Sequence, residues 1–413
     1  MATHDQISNK HSIRGHGKIR PKETHHHMSP SDIGYEREAH LDGLRGICAL
    51  IVVIHHFFIL KGIPDWIKYT PIQLLNLGHL SVILFFILSG YVLSKRILYG
   101  LRKQTFSIPI WMAQRSVRLY IPYLAAFLLS TFFYISYGEN GRIGLPEGFS
   151  SWGAWWWSAS DWQTNNWQVW WQFFTLWSSP SDNSWVPTAW SLQHEIRFSW
   201  LIPLLIVPIW FFWTSFFGRR WNWKVHAGSI VHLTALGLIL YTFWIQTPWI
   251  GVEGLKTLLY LPAFVVGILF AVYNNKIRSW IQPIPNAVWW ILSITIAFFV
   301  FRMHNYGYIE NKLVLWNEVI AAALFFLVHF VWDRSFLDRS FARVLGQYSY
   351  SLYLIHVPIM MISIKWAQTW VDPNIVFGYL FLLIPIGTYV FYHLVERPTI
   401  SIARSFGKSR KAA

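Results

Sequence analysis

Long apolar stretches separated by short charged ones run along this chain from about residue 44 to residue 394. A helix needs about 20 apolar residues, rising about 1.5 Å each, to cross the roughly 30 Å hydrocarbon core of a bilayer. Ten stretches approach that length: 44–60, 74–94, 119–137, 190–213, 228–247, 255–273, 286–302, 314–332, 343–363 and 375–394. The pattern predicts an all-α, polytopic membrane protein of about ten transmembrane helices. No internal repeat interrupts it.

The loops carry a second pattern. Lys95, Arg96, Arg102, Lys103, Arg115 and Arg118 crowd the loop after the second stretch, with no acid among them. Arg219, Arg220 and Lys224, then Lys276 and Arg278, then Arg334, Arg339 and Arg343, fill every second loop thereafter. The loops between these are neutral or acidic, as in 138–189 with Glu139, Glu147, Asp161 and Asp182. Short basic loops stay in the cytoplasm, so both termini are expected there, which an even number of spans requires. Residues 1–40 read as a disordered cytoplasmic tail, 41–400 as the transmembrane domain, and 401–413 as a basic cytoplasmic tail.

Composition agrees with this picture. Apolar residues make up 54% and charged residues 13%, against roughly a quarter charged in soluble domains. The net charge of +15 would suggest nucleic acid in a soluble chain, but here it marks topology, and no nucleic-acid partner is expected. The single cysteine, Cys48, excludes an intrachain disulfide. His25, His26 and His27 lie in the polar tail and read as solvated, so no metal is assigned.

Ionisable groups inside spans are costly and so become functional candidates. The first stretch holds Arg45, His55 and His56. Eleven residues at about 100° each bring His56 back to within about 20° of the azimuth of Arg45, while the rise separates them by about 16 Å. One helix face thus carries an anion-binding group at the inner rim and a titratable ring near the bilayer centre. That suits a long ligand with phosphates at one end and a reactive carbonyl at the other. The plainer reading pairs Arg45 with Asp42 and makes His56 a hydrogen-bonded core histidine. Arg115 and Arg118, three apart, form a phosphate site or simply mark the inner side. Glu195, just inside the fourth stretch, relays a proton, binds an acceptor hydroxyl, or pairs with a cation such as Arg197. His194, His232, His329 and His393 read as structural, and His356 lies inside the ninth stretch. Nine tryptophans between 152 and 177 suit either a segment lying in the outer interface or a stacking platform for an acceptor.

Several of these segments, taken in order, resemble the acyltransferase-3 family of integral membrane acyltransferases. HLDGLRGICALIVVIHHF carries an Arg and a His separated by ten residues, Arg45 and His56. SVILFFILSGYVLS, RSVRLYIPY, VPTAWSLQHEIRFSWLIP, LPAFVVGILFAVY, LGQYSYSLYLIHVPIM and YHLVERPTI follow in the family's sequence. The resemblance runs from about 38 to about 400, and the overall character is similar to that of fungal members. It implies a membrane-bound O-acyltransferase that moves an acyl group, commonly acetyl, from acyl-CoA to a hydroxyl of a carbohydrate, lipid or specialised metabolite. His56 is then catalytic with Arg45 as its essential partner, and Arg45, Arg115 and Arg118 hold the CoA phosphates. Glu195 is assigned to catalysis and, with Trp190, to acceptor binding. Acyl-CoA is a co-substrate, no further cofactor is expected, and a homodimer is compatible. The tryptophan-rich loop and the doubled histidine depart from the family pattern. A transporter or flippase without acyl-transfer chemistry is the alternative, though duplicated halves and paired Gly/Pro-broken helices are missing from the sequence. A bis-histidine haem protein is the third reading, and no pairing of the histidines demands it.

Overall fold

A computed structural model describes residues 38–138, 171, 174–176, 186–217, 257–305, 314–332, 335–367 and 372–406. The predicted segment 228–247, with His232, lies outside the described residues, as do residues 1–37, 407–413 and most of 152–177.

Every described element is helical. They are α1 (Ala39–Lys61), α2 (Asp65–Lys68), α3 (Gly78–Arg102), α4 (Ile108–Gly138), α5 (Ala189–Phe217) and α6 (Leu261–Val272). There follow α7 (Asn274–Ile281), α8 (Asn286–Asn305), α9 (Val314–Phe326), α10 (Ser340–Ala367), α11 (Pro373–Phe391) and α12 (Arg397–Ser405). A 3₁₀ turn, Pro71–Asn76, precedes α3, and wide π-turns, Leu327–Val331 and Tyr392–Glu396, extend α9 and α11. Over their described residues, the other nine predicted segments all coincide with helices. Among the described residues, three helical stretches are long and apolar enough to cross a bilayer outright: Ala39–Lys61, Gly78–Arg102 and Asn374–Ser405. Thr257–Val272 with Asn274–Ile281 forms a fourth as a pair bent by 74°.

Local chemistry sets several ends. In α1 the carboxylate Asp42 sits in the first turn and Lys61 in the last, each complementing the helix dipole. Gly62, at φ 78°, stops the helix in a conformation that a side chain would resist, and its N–H bonds Phe58 O. At α11, Asp372 caps by accepting from Asn374 N at 2.8 Å, with Pro373 in the first turn.

In lipid, apolar side chains gain little by leaving the solvent, so helices associate through close packing and buried polar contacts. Glycines supply the close approaches. A Cβ on Gly46 would strike the backbone at Gly346, and one on Gly346 would strike Asp42 O, so α1 and α10 cross nearly in contact. Gly90 and Gly267 do the same for α3 and α6, against Phe264 O and Ile87 O. α3 is the hub and packs on α1, α5, α6 and α9, while α4 packs on α5, α10 and α12, and α10 on α11. Outward faces are greasy. Ile291, Ile294 and Phe298 of α8 and Phe381, Leu382 and Ile386 of α11 are each at least 60% exposed. Such exposure of contiguous apolar faces fits a hydrocarbon surround, not water.

Candidate active site

The arginines singled out in the sequence converge. Arg45 of α1 pairs with Asp42 at 3.0 Å, as one of the two sequence readings expected. Its charge nevertheless acts on both Arg115 and Arg118 of α4. Glu195 of α5 acts on the same pair and is the acceptor for Arg115 Nη2 at 3.1 Å. Arg115 Nη2 also donates to Ser199 Oγ at 3.1 Å, and Ser89 Oγ of α3 donates to Glu195 at 3.2 Å. Arg197, the cation considered for Glu195, bonds Thr257 instead.

Arg115 and Arg118 differ in setting although they are three residues apart. Arg115 is 8% exposed, and its Nε has no hydrogen-bond partner among the described residues. Arg118 is exposed, yet it remains within electrostatic reach of Arg45, Arg115, Glu195 and Glu396. Arg118 thus combines open surface with four charged neighbours drawn from α1, α4, α5 and the π-turn before α12. Tyr350 of α10 borders the same cluster: its OH donates to Leu119 O at 2.6 Å, and it lies within reach of Glu195, Glu396, Arg115 and Arg118.

Glu396 had no role in the sequence reading beyond its place in YHLVERPTI. It is 4% exposed and accepts from Ser351 N at 3.1 Å and Ser351 Oγ at 2.5 Å. The π-turn Tyr392–Glu396 ends on it, and such wide turns re-aim a side chain that a regular helix would point elsewhere. Three arginines thus meet three carboxylates, Asp42, Glu195 and Glu396, with Arg96 also acting on Arg115. Among the described residues the cluster carries one guanidinium in excess, a balance suited to an anionic ligand.

His56 lies deeper along α1 and is 8% exposed. Its Nδ1 is 2.7 Å from Val52 O and 3.1 Å from Nε2 of His356 in α10. His55 turns away, with Nδ1 2.7 Å from Asn76 Oδ1 and its ring against Gly78. The doubled histidine therefore splits into two environments. Tyr353 lies between the ring pair and the charge cluster. Its OH shares a 2.6 Å hydrogen bond with Ser191 Oγ, its ring lies 6.2 Å from that of His356, and Glu195 acts on it. Tyr353 and Ser191 were missed because only the helix crossing brings them together.

Trp190 opens α5 and stacks on His79 at 5.7 Å and 12°, with Tyr260 at 5.6 Å and His194 at 6.1 Å. Glu195 follows one and a half turns later on the same helix. His329 and His393 have polar partners, as a structural reading expects. Tyr348 OH is 3.4 Å from His393 Nε2. His329 Nδ1 lies 2.9 Å from His40 Nε2, in a network with Glu38, Tyr91, Lys95, Asn274 and Arg278. The two rings lie nearly parallel, 16° apart with centroids at 5.1 Å. Glu38, His40 and His329 bring their ligand atoms within 4.8 Å of one another, a grouping that could hold a metal ion.

Long apolar helices that bring together a cluster of arginines and carboxylates and a pair of buried histidines define an integral membrane protein with polar groups between its helices. The family model for the acyltransferase domain, acyltransferase-3, matches residues 38–393, and the chain belongs to that family. It is accordingly an acyltransferase. No curated protein and no solved structure matches the chain.

Proposed function

We propose that this acyltransferase moves an acyl group, acetyl in the simplest case, from acyl-CoA to a hydroxyl of a carbohydrate, lipid or specialised metabolite. One observation carries the reading: Arg45, Arg115, Arg118 and Glu195 form one charge cluster, while His56 lies buried farther along the helix that bears Arg45. The separation of about 16 Å matches a ligand with phosphates at one end and a thioester at the other.

In the proposed reaction the CoA phosphates rest on the three arginines, with the unused Arg115 Nε as a further donor. His56 takes the proton of the acceptor hydroxyl as the oxygen attacks the thioester carbonyl. The C–S bond breaks, the ester forms, and His56 returns the proton to the departing CoA sulfur. Glu195 and Trp190 meet the acceptor. The chain has ten spans and both termini in the cytoplasm, which brings the donor in from that side. The bilayer is its solvent, and acyl-CoA serves as co-substrate with no further cofactor.

The test is incubation of membranes holding the protein with radiolabelled acetyl-CoA and cell extract, followed by identification of the labelled product. Label is expected in a hydroxyl ester with wild-type protein. His56→Ala is expected to abolish it while the protein still inserts. Full transfer by that variant, or solute movement in proteoliposomes without any CoA release, would overturn the reading.

A further inference from the structure

Two buried histidines on different helices share a hydrogen bond, and only one of them has a role in the reaction above. The direction of that bond follows from the carbonyls around it. A carbonyl oxygen only accepts, so His356 Nδ1, 2.8 Å from Leu352 O, carries a hydrogen. In the neutral ring its Nε2 then holds a lone pair. By the same rule His56 Nδ1, 2.7 Å from Val52 O, carries a hydrogen. At 3.1 Å the His56 Nδ1–H therefore also donates to His356 Nε2, and the lone pair of His56 sits on Nε2. Both nitrogens of His356 are engaged, one by Leu352 O and one by His56. His356 is thus not placed to take the hydroxyl proton itself.

From this we infer that His356 is a positioning residue that orients His56 and stabilises it when it becomes protonated. The inference rests on the reading of His56 as the base. When His56 gains a proton at Nε2, the charge spreads to Nδ1–H, whose acceptors are Val52 O and the His356 lone pair. A neutral imidazole occupies the place that a carboxylate holds behind the histidine of a serine protease triad. The surroundings favour a neutral partner. His56 and His356 are 8% and 0% exposed, and a buried carboxylate there would need a further cation. The ring of Tyr353, one turn before His356, lies 6.2 Å from that of His356, and the rings of His55 and His56 are 5.5 Å apart. The pair is also fixed mechanically. Gly46 and Gly346 bring α1 and α10 into backbone contact, and each ring is held by a carbonyl of its own helix.

The test compares His356→Phe, His356→Asn and His356→Gln with wild type and His56→Ala. The readout is CoA thiol release from acetyl-CoA by membranes supplied with cell extract. In the Phe and Asn variants kcat is expected to fall about 10- to 100-fold, the worth of one hydrogen bond to a charged group. The KM for acetyl-CoA should stay within about twofold, because the lost interaction forms only as charge develops. Gln, whose longer side chain can bring its carbonyl oxygen to His56 Nδ1–H, is expected to restore most of the rate. Wild-type kcat in the Phe or Asn variant overturns the inference. So does a raised KM with kcat unchanged, or a Gln variant that inserts but is as slow as Asn. If the Phe variant does not accumulate, the Asn and Gln pair carries the comparison alone. A fully active His56→Ala sinks the assignment of the base itself. An inactive His56→Ala beside a fully active His356→Phe sinks only the role of His356.

Discussion

Glu195 shows how a single side chain serves several neighbours at once. It accepts from Arg115 and from Ser89, while Arg115 is shared with Ser199. Removing the carboxylate strands a guanidinium that is only 10% exposed. Breaking one half of a buried ion pair costs about 3–5 kcal/mol, and this pair belongs near the low end because Glu195 keeps some contact with solvent. Glu195→Ala is therefore expected to lower the unfolding midpoint in detergent by several degrees. Glu195→Gln, which keeps an acceptor for Arg115, should lower it clearly less. Equal midpoints for the Ala variant and wild type would contradict the pairing. The two substitutions also separate stability from chemistry, since both should slow transfer if the charge acts on the acceptor.

At the scale of elements, the helix crossings depend on absent side chains. α1 carries Arg45 and His56 and α10 carries Tyr350, Tyr353 and His356, so the depth of the α1–α10 crossing sets the site geometry. Gly46 lies against the backbone of α10 and has no flexible neighbour to yield. Gly46→Leu is expected to abolish the monodisperse peak on size exclusion after detergent extraction, because overpacking against backbone cannot be relieved by a rotamer change. Gly378 of α11 has nothing within 4 Å of an added Cβ. Gly378→Ala should leave the peak unchanged and gain slightly from helix propensity. Similar yields of the two variants would argue against the close crossing. The π-turns act at this scale too: Leu327–Val331 delivers His329 to His40, and Tyr392–Glu396 delivers Glu396 to Ser351.

At the scale of the whole molecule, the alternation of basic and poor loops makes a topology that labelling can check. Cys48 is the only cysteine and is 1% exposed, so Cys48→Ala gives a clean background. Trp66 is 67% exposed between α1 and α3, and Lys103 and Lys276 are exposed beyond α3 and α6. Cysteines introduced at 103 and 276 should react with a membrane-impermeant maleimide only after the membrane is opened. One at 66 should react from the opposite face, in sealed vesicles that present that face. Reaction of 66 and 103 from the same side would break the proposed arrangement.

What the sequence determined by itself is the placement of the helices. In hydrocarbon every backbone N–H and C=O must be satisfied within its own segment, so a long apolar run has one outcome and its position is local information. The same locality made Arg45, His56, Arg115, Arg118 and Glu195 legible as candidates, because a charge in an apolar run stands out wherever the chain goes. The partnerships were decided only by the tertiary structure. His56 finds His356 from 300 residues away and Arg115 finds Glu195 from 80. Those meetings depend on which glycines let helices touch and on wide turns that rotate a side chain off its expected face. Neither feature leaves a period in the sequence. Helix position follows from solvation of the backbone, whereas the proton's place on His56 follows from a neighbour that only the packed bundle supplies.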